Sequence, residues 1–167
     1  MKTTREGLVS EYITEALLML LKQKDFSSIS ITDICNRAGT TRMSFYRNFE
    51  SKEDNIRKWL QEQTDGFLER SGISYSNDTT EDYIIKLFTH LSNYKEELTA
   101  LYDSGLSYLV KDEFDRVFLS IHHGEYDDYK TFFHAGGIYN IFYLWMRNGF
   151  KESPQELAQK LEGLLSK

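Results

Sequence analysis

The sequence predicts an all-α protein. Apolar residues recur at three- and four-residue steps through nearly the whole chain, which is the spacing of one face of an α-helix. The chain has one proline in 167 residues, and proline is the residue that most often interrupts a helix. Residue types that cap helices precede several of the apolar stretches. These three observations predict a succession of helices.

A helix-turn-helix is predicted near the N-terminus, after a first helix with an apolar stripe. Ser30 opens the second helix, and Asp33 follows three residues later in the spacing of a capping box. Gly39 ends this helix, because glycine readily adopts the left-handed conformation of a tight turn. Thr40 or Thr41 then caps a short third helix. A helix, a glycine-containing turn and a short second helix form the helix-turn-helix plan.

Two domains are expected. Residues 1–50 hold the three-helix domain, and a long fourth helix joins it to a larger helical domain over residues 51–167. Residues 71–80 are polar and form a connection. Residues 153–156 place serine, proline and glutamate in the order that starts the last helix.

Charge is distributed unevenly between the two parts. Residues 1–60 contain ten Lys and Arg against eight Asp and Glu, a net charge of +2, although the whole chain carries −6. A mildly basic N-terminal part and an acidic C-terminal part fit a protein whose N-terminal part contacts phosphate.

The short third helix carries hydrogen-bond donors that suit DNA. Arg42 can donate two hydrogen bonds to a guanine edge, and Ser44 can contact a base or a phosphate. Tyr46, Arg47 and Lys52 offer donors to phosphate oxygens. On spacing alone, a capped helical hairpin with a solvated face is the alternative.

Residues 30–56 resemble the signature of the TetR family of bacterial regulators. The matching residues are Ile31, Asp33, Ile34, Ala38, Gly39, Phe45, Tyr46, Phe49, Ser51, Lys52 and Glu53. The resemblance implies a homodimer whose two recognition helices enter successive major grooves of double-stranded DNA at a near-palindromic operator.

By position, the resemblance also implies which residues contact DNA. Asn48 stands where the family often has histidine, and asparagine can still donate to a phosphate. The DNA-binding set is therefore Thr32, Thr41, Arg42, Ser44, Tyr46, Arg47, Asn48 and Lys52.

In the TetR family the last two helices usually build the dimer interface. Residues 129–146 are apolar nearly all round, which predicts burial on every side and makes a second copy the expected partner. An ordinary core helix is the alternative. The predicted interface is Phe133, Gly137, Ile141, Leu144, Trp145, Leu157, Leu161, Leu164 and Leu165.

The C-terminal domain of the family often holds a small-molecule inducer. A small hydrophobic or aromatic effector would meet a candidate pocket lined by Tyr83, Phe88, Tyr102, Tyr108 and Phe118, with plain core packing as the alternative.

Catalytic, metal-binding and membrane roles find no support. No nucleophile, phosphate loop or acid–base pair stands out, and Cys35 is expected to be inert packing. The His, Glu and Asp residues within 122–128 have no ligand spacing, so neither a metal nor a cofactor is predicted. No apolar run approaches bilayer length, and a cytoplasmic protein is expected.

The sequence therefore predicts a homodimeric DNA-binding regulator, a repressor that a small effector releases. The alternatives are a regulator-docking or activating interaction module without an inducer pocket, and a small-ligand carrier. Recognition-helix chemistry separates them, because Arg42, Arg47 and Lys52 favour DNA.

Overall fold

A computed structural model describes residues 5–72, 80–121 and 128–161. These residues form nine α-helices and a 3-10 turn at Phe26–Ser28, and no strand occurs among them. The helices are α1 Arg5–Leu21, α2 Ile31–Ala38, α3 Arg42–Asn48, α4 Lys52–Ser71, α5 Thr80–Ser92, α6 Lys95–Asp103, α7 Ser107–Ile121, α8 Asp128–Arg147 and α9 Pro154–Leu161. The all-α prediction is confirmed.

The chain divides into two compact units. The first unit comprises the described residues up to Glu62 together with Glu96–Leu109, and the second comprises the described residues of Gln63–Lys95 and of the chain from Val110 onward. The predicted domain boundary falls at residue 50, whereas the first unit continues into α4 and also includes most of α6.

The first unit is built around the packing of α1 against α2 and α3. Its core contains Ile13, Leu17, Ile34, Phe45 and Ile56, all fully buried. The helical spacing of these apolar residues places them on one side of each helix, where burial removes their surface from water.

The end of α1 is joined to the start of α6 within this unit. The Lys22 ammonium donates to carboxylate oxygens of Glu96 at 2.7 Å and Glu97 at 2.8 Å. These hydrogen bonds raise the pKa of Lys22 and lower that of Glu96. The ion pairs connect two segments that lie more than 70 residues apart in sequence.

In the second unit α5 packs along α9. Aromatic rings fill much of its core: Phe88 lies 5.2 Å from Trp145, and Phe114 lies 5.5 Å from Phe142, measured between ring centroids. The Trp145 indole donates to the carbonyl of Glu152 at 3.0 Å. A buried indole thus has the hydrogen-bond partner that burial demands.

Candidate nucleic-acid interface

A reciprocal cap fixes the start of α2. The Ser30 hydroxyl accepts from the Asp33 backbone N–H at 3.1 Å, and the Asp33 carboxylate accepts from the Ser30 N–H at 2.9 Å. The Ser30 N–H, helped by the Lys24 ammonium at 2.9 Å, lowers the pKa of Asp33 to about 2. The predicted capping box is confirmed.

The turn between α2 and α3 depends on one glycine and one threonine. Gly39 has φ +65° and ψ +31°, a left-handed conformation that L side chains rarely adopt. Thr41 is the N-cap of α3, because its hydroxyl accepts from the Ser44 N–H at 3.2 Å. The helix-turn-helix geometry therefore follows from local hydrogen bonds.

Two phenylalanines hold α3 against the rest of the unit. Phe45 is fully buried and Phe49 nearly so, and their ring centroids lie 5.7 Å apart. Because both residues point inward, the opposite face of the seven-residue helix is exposed. That face carries Arg42, Met43 and Tyr46 together with Arg47.

Of the other predicted DNA contacts, Thr32 is exposed in the first turn of α2, and Thr41 is exposed at the cap of α3. Ser44 and Asn48 are half-buried. The Ser44 hydroxyl lies 3.1 Å from the Thr41 hydroxyl, and the Asn48 amide donates to the Ser44 carbonyl at 2.7 Å. These two side chains stabilise α3 itself, and their DNA contacts stay predictions.

Lys52, the first residue of α4, makes internal hydrogen bonds. Its ammonium donates to the carbonyls of Phe26 at 2.8 Å and Ile29 at 2.7 Å, and it lies 4.2 Å from the centroid of the Phe26 ring. An ammonium has three N–H donors, and these carbonyls engage two of them. Lys52 thus connects α4 to the segment before α2.

Sequence reasoning missed a second lysine of α4. Lys58 donates to the Asn48 carbonyl at the end of α3 at 3.0 Å, and to the Asp54 carboxylate at 2.9 Å. A cation at a helix C-terminus interacts favourably with the helix dipole. No local pattern indicates this contact, because ten residues separate the two partners in the chain.

The predicted dimer residues divide into two sets. On α8, Phe133 and Leu144 are 78% and 60% exposed, and Gly137 and Ile141 are half-buried. One face of α8 is therefore uncovered in the single chain, and the sequence predicts that a second copy covers it.

The other set lies inside its own subunit. Trp145, Leu157 and Leu161 are buried in the core of the second unit. Leu164 and Leu165 lie outside the described residues. The predicted interface residues left exposed or half-buried in the single chain are therefore those of α8 other than Trp145, and their role in dimerisation stays a prediction.

The five candidate pocket residues are divided between the two units. Tyr83, Phe88 and Phe118 are buried in the second unit, where the rings of Tyr83 and Phe118 lie 6.1 Å apart. Tyr102 and Tyr108 belong to the first unit, and Tyr108 is exposed.

Neither a reactive cysteine nor a metal-binding cluster is found among the described residues. Burial raises the pKa of the Cys35 thiol, which disfavours the reactive thiolate. Across residues 5–72, 80–121 and 128–161, no three His, Cys, Asp or Glu side chains gather as a metal site would require. The His, Glu and Asp residues considered in the sequence at 122–127 lie outside these ranges. None of the described helices has the length and apolar character needed to cross a membrane.

The fold and the exposed face of α3 define a helix-turn-helix protein of the DNA-binding class. Two family models match the chain: bacterial regulatory proteins of the tetR family over residues 13–54, and a transcriptional regulator C-terminal region over residues 78–167. The chain belongs to the TetR family of DNA-binding transcriptional regulators. A comparison with curated protein sequences gives no significant match.

Solved structures share the fold. Lin0861 from Listeria innocua is 17% identical with a TM-score of 0.75, and the similarity covers 92% of this chain and 89% of that one. The dihydroxyacetone kinase operon activator DhaS is 17% identical with a TM-score of 0.60, covering 94% and 93%.

Proposed function

We propose that the protein is a homodimeric transcriptional repressor that binds a near-palindromic operator through α3. The observation that carries this proposal is the exposed face of α3, which presents two arginines and a tyrosine on a helix fixed at both ends. Arginine can donate two hydrogen bonds to guanine, and all three side chains can donate to phosphate. A DNA-binding regulator works where the chromosome is, which in a bacterium is the cytoplasm.

Selection from a random library of DNA duplexes tests the proposal. The parent protein should recover a site with two inverted half-sites about 34–36 Å apart. Arg42→Ala should weaken binding to that site by about 1–3 kcal/mol and relax the preference at one base position. Arg70→Ala is the matched control, because Arg70 is an exposed arginine of the second unit. Recovery of no enriched duplex would contradict the proposal.

The homodimer is supported by an apolar stripe on α8. Tyr129 is 90% exposed, and Phe132, Phe133 and Leu144 also face outward. Their spacing places them on one side of the helix. Several large apolar side chains exposed on one side of a helix are typical of an interaction surface. A twofold axis would place this stripe against its own copy and give two recognition helices.

Gly136 and Gly137 support close approach of a second helix along this stripe. A Cβ atom added to either glycine would meet no neighbouring atom within 4 Å, so both open toward free space. Sedimentation of the parent at micromolar concentration should give the dimer mass. A monomer that still binds an inverted repeat with full affinity would contradict the homodimer.

Effector release is the further part of this proposal. The candidate lining residues Tyr83, Phe88 and Phe118 are aromatic side chains packed in the second unit, so a small hydrophobic or aromatic molecule would have to displace part of this packing to bind. A screen of such compounds against the protein–operator complex should find one that lowers operator affinity. A screen in which none does so, while the operator still binds, would contradict effector release.

Activation through a partner protein is the second candidate function. It is favoured by the name of one structural neighbour, the operon activator DhaS. A reporter gene behind the selected operator separates the two directions. Expression should rise when the gene for this protein is deleted, and a fall would support activation instead.

A further inference from the structure

Met43 is the one apolar aliphatic residue of α3, and its side chain is exposed. It is 72% exposed, although methionine usually fills core space. Phe45 and the flanking Phe49, the other apolar residues nearby, are buried. The packing of the unit therefore leaves Met43 available for contact with a partner.

The position of Met43 on the helix is central to the exposed face. At about 100° per residue, Arg42, Met43, Tyr46 and Arg47 fall within an arc of about 140°. Met43 lies between Tyr46 and Arg47 on this arc, and Phe45 points to the other side. A surface that brings the arginines to a DNA groove also brings Met43 there.

Its chemistry selects one feature of the major groove. The thioether offers no hydrogen-bond donor and only a weak acceptor, so the polar edges of guanine, cytosine and adenine give it little. The C5-methyl group of thymine is the apolar group that the major groove displays. An unbranched, polarisable side chain can follow that methyl group closely.

We infer that Met43 contacts the C5-methyl group of a thymine in each half-site and makes the protein select thymine there. The inference rests on the proposed function, because it requires α3 to enter the major groove. It adds an apolar specificity contact to the polar contacts expected from Arg42 and Arg47.

The test removes the methyl group from the DNA and the thioether from the protein. In the duplex recovered by selection, each dT is replaced singly by dU, which keeps base pairing and lacks the methyl group. Fluorescence anisotropy then measures Kd at one salt concentration. For the parent, the dU replacement at one position in each half-site should lower the affinity about fourfold, the size expected for one buried methyl group.

The variants show whether Met43 is responsible. The affinity of Met43→Ala for the dT duplex should be at least about fourfold lower than that of the parent. Replacing dT by dU at that position should not lower the affinity of this variant further. Alanine is the strongest helix former, so this exposed change preserves α3. Met43→Leu should keep the discrimination between dT and dU. Met19→Ala is the matched control, since Met19 is a partly exposed methionine of α1 and should behave as the parent.

Two results would overturn the inference while the operator still binds. One is a parent that tolerates dU at every position. The other is a Met43→Ala variant with the same dU sensitivity as the parent. If selection recovers no duplex at all, the proposed function fails first, and this outcome is distinguishable because it appears before any base is changed.

Discussion

Helices α3 and α8 both expose large side chains, and the chemistry of the two surfaces differs. The exposed face of α3 carries Arg42, Tyr46 and Arg47 around a single methionine. The exposed face of α8 carries Tyr129 and Phe133 in an apolar stripe. Donors on a short, capped helix suit phosphates and base edges, whereas an apolar stripe suits the same stripe on a second copy. Exposure marks both surfaces, and side-chain chemistry tells them apart.

The two units also keep their helices in place by different means. In the first unit, Lys52 and Lys58 donate to backbone carbonyls at the ends of the segments that they join. In the second unit, aromatic pairs such as Phe88 with Trp145 fill the core. Directional hydrogen bonds suit a helix that must meet DNA at a defined angle, and aromatic packing suits a stable support.

The largest expected effect separates the interior of the second unit from its exposed stripe. Leu161→Glu places a carboxylate where the side chain is only 6% exposed, and we expect about 3–5 kcal/mol of lost stability or complete unfolding. Leu144→Glu changes an exposed residue and should leave the fold intact while dissociating the proposed dimer. Circular dichroism reports the fold, and sedimentation reports the mass.

Two outcomes would contradict this prediction, one for each leucine. If Leu161→Glu stays folded and becomes monomeric, the interface includes α9, contrary to this prediction. If Leu144→Glu stays dimeric with its helix content unchanged, the stripe is not the interface.

The next prediction concerns how much the hydrogen bonds of Lys52, at the start of α4, stabilise the first unit. Lys52→Ala leaves the carbonyls of Phe26 and Ile29 without this donor, so we expect a loss of about 1–3 kcal/mol in urea unfolding. The third N–H of the ammonium can donate to a phosphate. In Lys52→Ala the slope of log K against log salt should therefore become less steep by about one.

Lys151→Ala, at an exposed lysine of the second unit, is the control and should change neither quantity. A Lys52→Ala variant of unchanged stability would show that the two carbonyl contacts contribute little.

Local features of this fold were predictable from the sequence. Which side of each helix is buried was harder to predict. The Ser30–Asp33 cap and the left-handed Gly39 depend on residues a few positions apart, so their pattern is visible in the chain. The inward orientation of Leu161 depends on contacts with helices distant in sequence, and apolar spacing alone does not say which side a neighbour covers.

The candidate site shows the same division. Arg42 and Arg47 were predicted because their chemistry is recognisable from residue type. Met43 was missed because methionine normally indicates core, although the helical spacing from Phe45 already places it on the opposite face. Lys58 left no sequence signal, since its carbonyl partner lies at the end of another helix.

A smaller effect concerns a buried amide in the first unit. Asn55 is fully buried, and neither its Nδ2 nor its Oδ1 has a hydrogen-bond partner within the described part of the chain. Burying an unsatisfied amide costs stability, so Asn55→Leu, at similar volume, should stabilise the protein by about 1 kcal/mol. Urea unfolding measures the change, and Asn55→Ala, which opens a cavity, should not show the gain. A less stable Asn55→Leu variant would show that the amide is satisfied in solution.

An effect of similar size is a pH dependence that belongs to the second unit. The His90 ring stacks on Phe67 with centroids 4.3 Å apart and an interplanar angle of 14°, and it meets the Tyr94 ring edge-on at 5.3 Å. Burial, and secondarily the positive charge of Arg70, lowers the pKa of His90 from 6.5 to about 4. The folded protein therefore keeps this ring neutral where an unfolded chain would protonate it.

The sign of the effect follows from this difference. Between pH 6.5 and 4 the unfolded state binds more protons at His90 than the folded state, so stability is lost as the pH falls through this range. The ring is partly exposed, so we expect only about 1 kcal/mol of loss between pH 7 and pH 5, less than full linkage at 1.36 kcal/mol per pKa unit would give. His90→Phe keeps an aromatic ring on Phe67 and removes the titrating group. Urea unfolding at both pH values should show a smaller loss for His90→Phe than for the parent, and equal losses would assign the pH dependence to other groups.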